Sequence, residues 1–451
     1  MTDSDNRESA SSDPYRIAAH TRLAHQSQVV LRLGVMMLAA GASSFRVKDA
    51  MAKLAKAVGI EEHHAQVTYT EIVTTAYANG TFRTELAEQR VMGVNAERID
   101  TINNFIRALP PHLLVETAER KLDEIAKKDS LYPPLLSALV AGVACAAFCF
   151  LNKGGLIECL SVLFAALFGQ WLRKALMKRN VNHFGVWFAC GAVSSAIYIA
   201  IVASMSYAGL VDSTHEAGVV SAILFLVPGF PMVTSLLDLI RQDFSAGISR
   251  GVYVVMLLAS SAMSVWAVTS LLGWSVEPIA DAYHLPELVL VFARAAATFV
   301  AAFGFAMLFN APLVACALAA FNGAIVNTAR LTAQDAGLSW MPAVGLAALA
   351  AGLLAHLLTR RSTYSRISLS VPAVVVMIPG VPLYRAVAAM NNGQITEAIS
   401  QTVTIVMVVA AIGAGLAISR MLTDRNWLME APRTVPALPG SEQSIPRELR
   451  S

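Results

Sequence analysis

Asp238, Arg385, Thr234, Ser235 and Asn322 stand out because ionisable and hydrogen-bonding side chains are scarce in the apolar stretches that hold them. A charge at the centre of such a stretch costs roughly 2.5–3.5 kcal/mol on insertion scales, so it belongs on an interior face with a partner or a substrate. Asp238 and Arg385 each follow a Pro-Gly-x-Pro sequence, Pro228-Gly229-Phe230-Pro231 and Pro379-Gly380-Val381-Pro382. The offset that carries Pro228 onto Pro379 also carries Thr234 onto Arg385. Proline lacks the backbone N–H and clashes with the preceding turn, so both helices must break there. Gly229 supplies the turn and Pro231 suits the first position of the resumed helix. That arrangement leaves N–H groups near Met232, Val233 and Thr234 free to meet an anion such as a carboxylate. Thr234, Ser235, Asp238, Arg241 and Gln242 recur at intervals that place them on one helix face. At ~1.5 Å per residue, Asp238 sits about 10 Å beyond the break, with Asp243 further on.

The chemistry this suits is recognition of a small zwitterion: helix ends and Arg385 for a carboxylate, Asp238 or backbone carbonyls for an ammonium. Simpler readings stand beside it. The kinks could be architectural, Asp238 and Arg241 could form an i,i+3 pair, and Arg385 or Arg294 could snorkel to the interface. Asn322 and Gln170 could line a path or bond neighbouring helices, and His356 could be interfacial.

The elements that must position these residues are membrane helices. The 451-residue chain is 56% hydrophobic and 14% charged, where soluble proteins average about a quarter charged; its mean hydropathy is +0.56. Ten stretches near the ~20 residues needed to cross a bilayer fall at 134–151, 155–172, 184–206, 217–240, 252–273, 288–309, 312–328, 341–358, 368–390 and 398–419. Arg and Lys concentrate in alternate connections (Arg173, Lys174, Lys178, Arg179; Arg241, Arg250; Arg360, Arg361, Arg366), while Asp212, Glu216, Glu277, Asp281 and Glu287 fall in the others. By the positive-inside rule both termini are cytoplasmic. Five spans per half then inverts the second half, and the broken helix is the fourth of each. Broken helices at matching positions of inverted halves point to a transporter's midplane binding site.

The expected architecture is therefore a polytopic α-helical membrane protein, ten transmembrane helices arranged as two inverted five-helix repeats, with a small N-terminal cytoplasmic α/β module. Its divisions are a disordered tail (1–14), the module (15–131), the repeats (132–273 and 286–422) and a second disordered tail (430–451). In the module, helical spacing runs from Gln28 to Gly59 with an interruption at Gly41, a β-like passage covers Ala65–Ala78, and Asn79-Gly80 marks a hairpin turn with the return strand over Thr81–Met92. Amphipathic helices follow over Glu97–Leu109 and Pro111–Lys128. The acidic N-terminus carries no apolar leader, so the first true span is expected to start insertion. His63 and His64 point to opposite faces of a strand and chelate poorly. The five cysteines, including Cys145 and Cys149, lie in apolar spans as small packing residues. No metal or cofactor is expected, no basic run suggests nucleic acid, and the expected partners are a small amino acid, the lipid bilayer and possible further copies of the chain.

Gly41-Ala42-Ser43-Ser44-Phe45-Arg46-Val47-Lys48-Asp49, Pro228-Gly229-Phe230-Pro231 with Ser235-Leu236-Leu237-Asp238, Asp243-Phe244, and Pro379-Gly380-Val381-Pro382-Leu383-Tyr384 together resemble the threonine/serine exporter family over roughly residues 25–420. The resemblance implies a secondary exporter of small hydroxy-amino acids, coupled to the proton gradient and located in the inner membrane, with Asp238 and Asp243 as the acidic positions to carry over. Ala40 and Lys48 depart from the family pattern, which often has acids there. The rival classes are a membrane-anchored enzyme with a catalytic module, disfavoured because the module lacks nucleophile, metalloprotease and phosphate-loop motifs, and a channel.

Overall fold

The computed structural model describes residues 14–90, 93–209, 216–274 and 285–429; the expected tails fall outside these, except for Pro14. Helices α1 (Pro14–Ala39) and α2 (Ser44–Ala57) open the chain. They are separated at Gly41, whose φ of +90° only glycine adopts without strain. A three-stranded antiparallel sheet, β1 (Glu62–Val67), β2 (Glu71–Ala78) and β3 (Thr81–Glu88), packs on α1 through its central and last strands. Asn79 and Gly80 both take positive φ, the type I′ signature, and set Ala78 opposite Thr81. The β-like passage read as one run from Ala65 is two strands. The Thr68 hydroxyl accepts from the Thr70 and Glu71 amides, closing a side-chain turn between them. Helices α3 (Ala96–Arg107) and α4 (Val115–Ala126) complete this layer.

The apolar helices follow: α5 (Pro134–Leu151), α6 (Leu156–Lys178), α7 (His183–Tyr207), α8 (Glu216–Ala222), α9 (Gly229–Ile240) and α10 (Phe244–Leu271), then α11 (Glu287–Leu308), α12 (Leu313–Asp335), α13 (Trp340–Thr359), α14 (Arg366–Val375), α15 (Gly380–Asn391) and α16 (Ile395–Met421), with the short α17 (Arg425–Leu428) last. Among the described residues, eight helices are long and apolar enough to cross a membrane, and α14 with α15 make a bent pair at 49° that could count as a ninth. The stretch read as the 217–240 span is a 7-residue helix, a 3-10 turn at Leu224–Leu226 and a 12-residue helix. Leu135, Leu139, Phe164, Phe168, Val252, Val255, Leu288 and Phe292 are exposed on the outer helix faces. That is a belt suited to lipid, not water, and the chain is a polytopic membrane protein.

Packing in the two halves follows one scheme. The contacts α5–α6, α6–α7, α6–α8, α7–α10 and α9–α10 recur as α11–α12, α12–α13, α12–α14, α13–α16 and α15–α16. Between halves, α5 meets α11, α8 meets α15, and α9 meets α14. Helices α5 and α11, the first of each half, run in opposite directions. Tyr132 and Leu131, at the start of α5, bond Ala311 and Asn310, just past the end of α11. The N-terminal layer touches the far end of α9 but the near end of α14.

Two helix boundaries differ from the sequence reading. Helix α10 begins at Phe244, directly after Asp243, so Arg250 is a buried residue of that helix and not a loop cation. Helix α6 runs to Lys178, so Arg173 and Lys174 likewise belong to a helix. Loop charges counted for orientation were in part interior groups.

Candidate functional site

The two breaks come together. A Cβ placed on Gly229 would lie 2.7 Å from Val375 Cγ2, and one on Gly380 would lie 3.0 Å from Val220 and 3.6 Å from Leu224. Gly380 and Val375 sit at the same sequence offset from Gly229 and Leu224, so the contact of Gly229 with Val375 and that of Gly380 with Leu224 are exchanged copies. Such reciprocity is what a local two-fold relation produces. A methyl added at Gly229 would overlap the Val375 side chain, and one at Gly380 would press on Val220, so both glycines suit this close approach.

Local chain chemistry at the first break corrects one expectation. Pro228 is the cap and Gly229 already begins α9, so Pro231 is its third residue, still within the turn where a missing N–H costs nothing. The Met232 N–H therefore bonds Pro228 O at 3.0 Å and is not left for a ligand. The Thr234 hydroxyl is also taken, donating back to Phe230 and Pro231 carbonyls at 3.1 Å each. Upstream, the carbonyls released by the break have partners from other helices. Arg173 Nη1 donates to Phe225 O at 2.8 Å and Trp187 Nε1 donates to Leu226 O at 2.6 Å.

Beside this break lies a cavity of ≈ 260 Å³, lined by Pro228, Gly229 and Pro231, by Arg173, Lys174 and Trp187, and by Tyr69 and Val94 of the N-terminal layer. An apolar recess of ≈ 320 Å³ lies where the breaks meet, bordered by Met232, Ser235, Pro379 and Gly380. Of the residues singled out from sequence, Pro228, Gly229 and Pro231 reach the first space; Ser235, Pro379 and Gly380 reach the second. Pro382 is buried and Arg385 half-buried one turn past the second break, and neither lines either space. Asn322 is fully buried and its amide donates to Ala351 O and Leu369 O, tying α12 to α13 and α14. Gln170 likewise bonds Ser137. Both thus bond neighbouring helices. Arg294, read as snorkelling, pairs with Asp335.

The acidic residues build a different cluster. Asp238 is 1% exposed; its Oδ1 accepts the Ser44 N–H, the first of α2, at 3.0 Å, and its Oδ2 lies 3.5 Å from Arg250 Nη1. A carboxylate at a helix N-terminus is favourable twice over, by hydrogen bond and by helix dipole. Arg250 in turn donates to Ala42 O at 2.9 Å, and Asp243 pairs with Lys48. Arg241 stacks 4.1 Å from the Phe45 ring centroid and 5.1 Å from that of Trp427. The segment from Ala42 to Lys48 is therefore clamped onto the end of the first broken helix. Lys48, where the family pattern often has an acid, is here the cation that meets Asp243.

A mirror of this bond holds the second broken helix. Asp100, 3% exposed on α3, accepts the Ser365 N–H at 2.9 Å and the Ser368 hydroxyl at 3.1 Å, capping α14. Burial raises the Asp100 carboxyl above the usual range, against the lowering effect of the Ser365 and Ser368 bonds and of nearby Arg46. Sequence reading left out Asp100, quoted Ser44 only within a motif, and counted Arg173 and Arg250 as loop cations. Only Arg250 carried a local signal, as a cation closely followed by an apolar run.

Residues 28–272 match the sequence model of the family described as "Putative threonine/serine exporter", and residues 294–422 match that of "Threonine/Serine exporter, ThrE". The chain is similar to a "Probable succinate transporter subunit YjjP" of Escherichia coli, 25% identical over 56% of this chain and 95% of that protein. It is also similar to a "Threonine/serine exporter" of Corynebacterium glutamicum, 22% identical over 94% of this chain and 87% of that one. A third relative is a "Probable threonine/serine exporter" of Mycobacterium tuberculosis, 23% identical over 88% of this chain and 76% of that one. No solved structure matches.

Proposed function

The chain belongs to the threonine/serine exporter family, a family of exporters and not of enzymes, and from that premise we propose that it is a secondary active transporter exporting small amino acids such as threonine and serine. The two five-helix halves act as inverted repeats, substrate moves by alternating access around the paired breaks, and Asp238 or Asp243 exchanges the coupling proton. The observation that carries this reading is the reciprocal packing of the two breaks, Gly229 on Val375 and Gly380 on Leu224. Reciprocal packing of that kind suits one half rocking against the other about a fixed site. The antiparallel course of α5 and α11 supports the inversion. The side bearing the N-terminal layer is the cytoplasmic side, a placement supported by Arg241, Arg366 and Arg420, which all lie near it. Asp238 suits a proton exchanger because protonation would weaken its hold on both Ser44 and Arg250 at once.

Counterflow in proteoliposomes tests the proposal. Vesicles loaded with unlabelled threonine or serine take up the labelled amino acid, and acidifying the side away from the N-terminal layer drives net export from the other side. Absence of counterflow with both amino acids overturns the substrate assignment, and export indifferent to an imposed pH gradient overturns proton coupling.

A further inference from the structure

We infer that Arg173 and Lys174 form a carboxylate-binding subsite in the cavity beside the first break. The inference deepens the transport reading and rests on it for the kind of ligand. The ≈ 260 Å³ cavity has two cationic side chains in its wall and no aspartate or glutamate among its lining residues. The remainder of the wall is apolar or aromatic, so the field inside is positive and weakly screened. Arg173 is also held in place. One guanidinium nitrogen is committed to Phe225 O at 2.8 Å, and the group lies 5.2 Å from the centroid of Trp187, whose own N–H is fixed on Leu226 O.

Among the described residues Arg173 forms no ion pair with a carboxylate, and neither does Lys174. A guanidinium fixed at one nitrogen keeps further N–H groups for a planar, two-oxygen ligand, the geometry that favours arginine at carboxylate sites. A fixed donor also loses less entropy on binding than a mobile one. The subsite touches the break directly, because Arg173 bonds the carbonyl of the 3-10 turn that precedes Pro228. Carboxylate binding at Arg173 would thus compete with or tighten its hold on that turn, coupling ligand to the broken helix. The shared chemistry covers both an amino acid and a dicarboxylate. An ammonium would find ring faces, tyrosine hydroxyls and backbone carbonyls in this wall, but no carboxylate.

The test is binding to the purified full chain in detergent, read by thermal shift, with L-threonine, succinate and L-threoninol, which lacks the carboxylate, as probes. The wild type is expected to bind at least one of the two carboxylates. Lys174→Gln, which leaves the Phe225 bond intact, and Arg173→Lys, which keeps the charge but not the fork, are each expected to weaken that binding roughly 10-fold, the scale of one hydrogen bond to a charged group. Any response to threoninol should be unchanged in both variants. A stronger response to succinate than to threonine identifies a dicarboxylate ligand, and the reverse an amino acid; either supports the subsite. Unchanged carboxylate affinity in both variants, equal loss for threoninol, or no binding of either carboxylate overturns it. Binding that depends on Arg173 without any counterflow overturns the transport reading and leaves the subsite standing; counterflow with unaltered affinity in the variants does the opposite.

Discussion

Replacing Asp238 by asparagine should destabilise the protein through Arg250, and the size can be worked from the seam. Both side chains are 1% exposed, and the nearest approach of their charged atoms is 3.5 Å. Asparagine keeps an oxygen for the Ser44 N–H but withdraws the counter-charge, leaving the Arg250 guanidinium buried with the Ala42 carbonyl as its hydrogen-bond acceptor. Breaking a buried pair by removing one partner costs about 3–5 kcal/mol, because the surviving charge stays desolvated. At about 2 °C per kcal/mol for a large chain, the melting temperature in detergent should fall by at least about 6 °C. Arg250→Met alone leaves Asp238 with the Ser44 amide and should cost less. The double variant should recover part of the Asp238→Asn loss, with a coupling of roughly 1–3 kcal/mol. A melting temperature within about 2 °C of wild type for Asp238→Asn, or a double variant that loses the sum of the singles, would refute the lock. The same variant imitates a protonated carboxyl, so surviving counterflow with loss of pH-gradient response is the expected transport phenotype.

Gly229→Ala places a methyl carbon 2.7 Å from Val375 Cγ2 and should cost about 1–3 kcal/mol by overpacking, more than Gly380→Ala, whose nearest contact is 3.0 Å. Restoration of counterflow by adding Val375→Ala checks that the loss comes from this contact, and a Gly229→Ala protein with unchanged activity and melting refutes it. In β1, burial lowers His63 from 6.5 to about 4, and its Nε2 lies 2.6 Å from the Thr74 hydroxyl. The unfolded chain takes up this proton near pH 6.5 while the folded one resists until about 4. The stabilisation is therefore complete above 6.5 and lost as pH falls through that window. Melting curves between pH 4 and 7 should show a shallower slope for His63→Asn than for wild type.

The sequence was legible where structure follows from local chemistry. Proline's missing N–H announced both breaks, hydrophobic length announced the eight long helices at the expected spans other than 217–240 and 368–390, and Asn79-Gly80 announced the hairpin. What stayed hidden depends on contacts between distant segments. Asp238, about 10 Å beyond the break, looked like an acid for an ammonium, but its partners are Ser44 and Arg250, the first nearly two hundred positions away. Arg173 and Arg250 were counted as loop cations because a helix end shows no sharp boundary in a short basic stretch. Helix α9 starts before Pro231 because proline is tolerated anywhere in a first turn, so the pattern could not choose between Gly229 and Pro231. Asn322 is polar in an apolar helix either way; only the positions of the Ala351 and Leu369 carbonyls decide that it is a brace.

Two carboxylates cross the seam between the N-terminal layer and the membrane helices, in opposite senses. Asp238 reaches from the first broken helix to cap α2, and Asp100 reaches from α3 to cap α14 of the second. Helices α2 and α3 belong to one packed layer, so that layer is tied at once to the end of one broken helix and the beginning of the other. Any rocking of one half against the other must then either carry the layer with one half and release the opposite cap, or strain both. Each released cap exposes a helix N-terminus and a buried carboxylate together, a cost of the order of 1–3 kcal/mol unless water or a proton replaces the bond. Protonation meets that requirement at either acid, since a neutral carboxyl accepts more weakly and leaves a helix terminus at lower cost. In the proposed rocking cycle, proton uptake and cap release on the layer's side would therefore be thermodynamically linked, whichever of the two carboxylates gave way first.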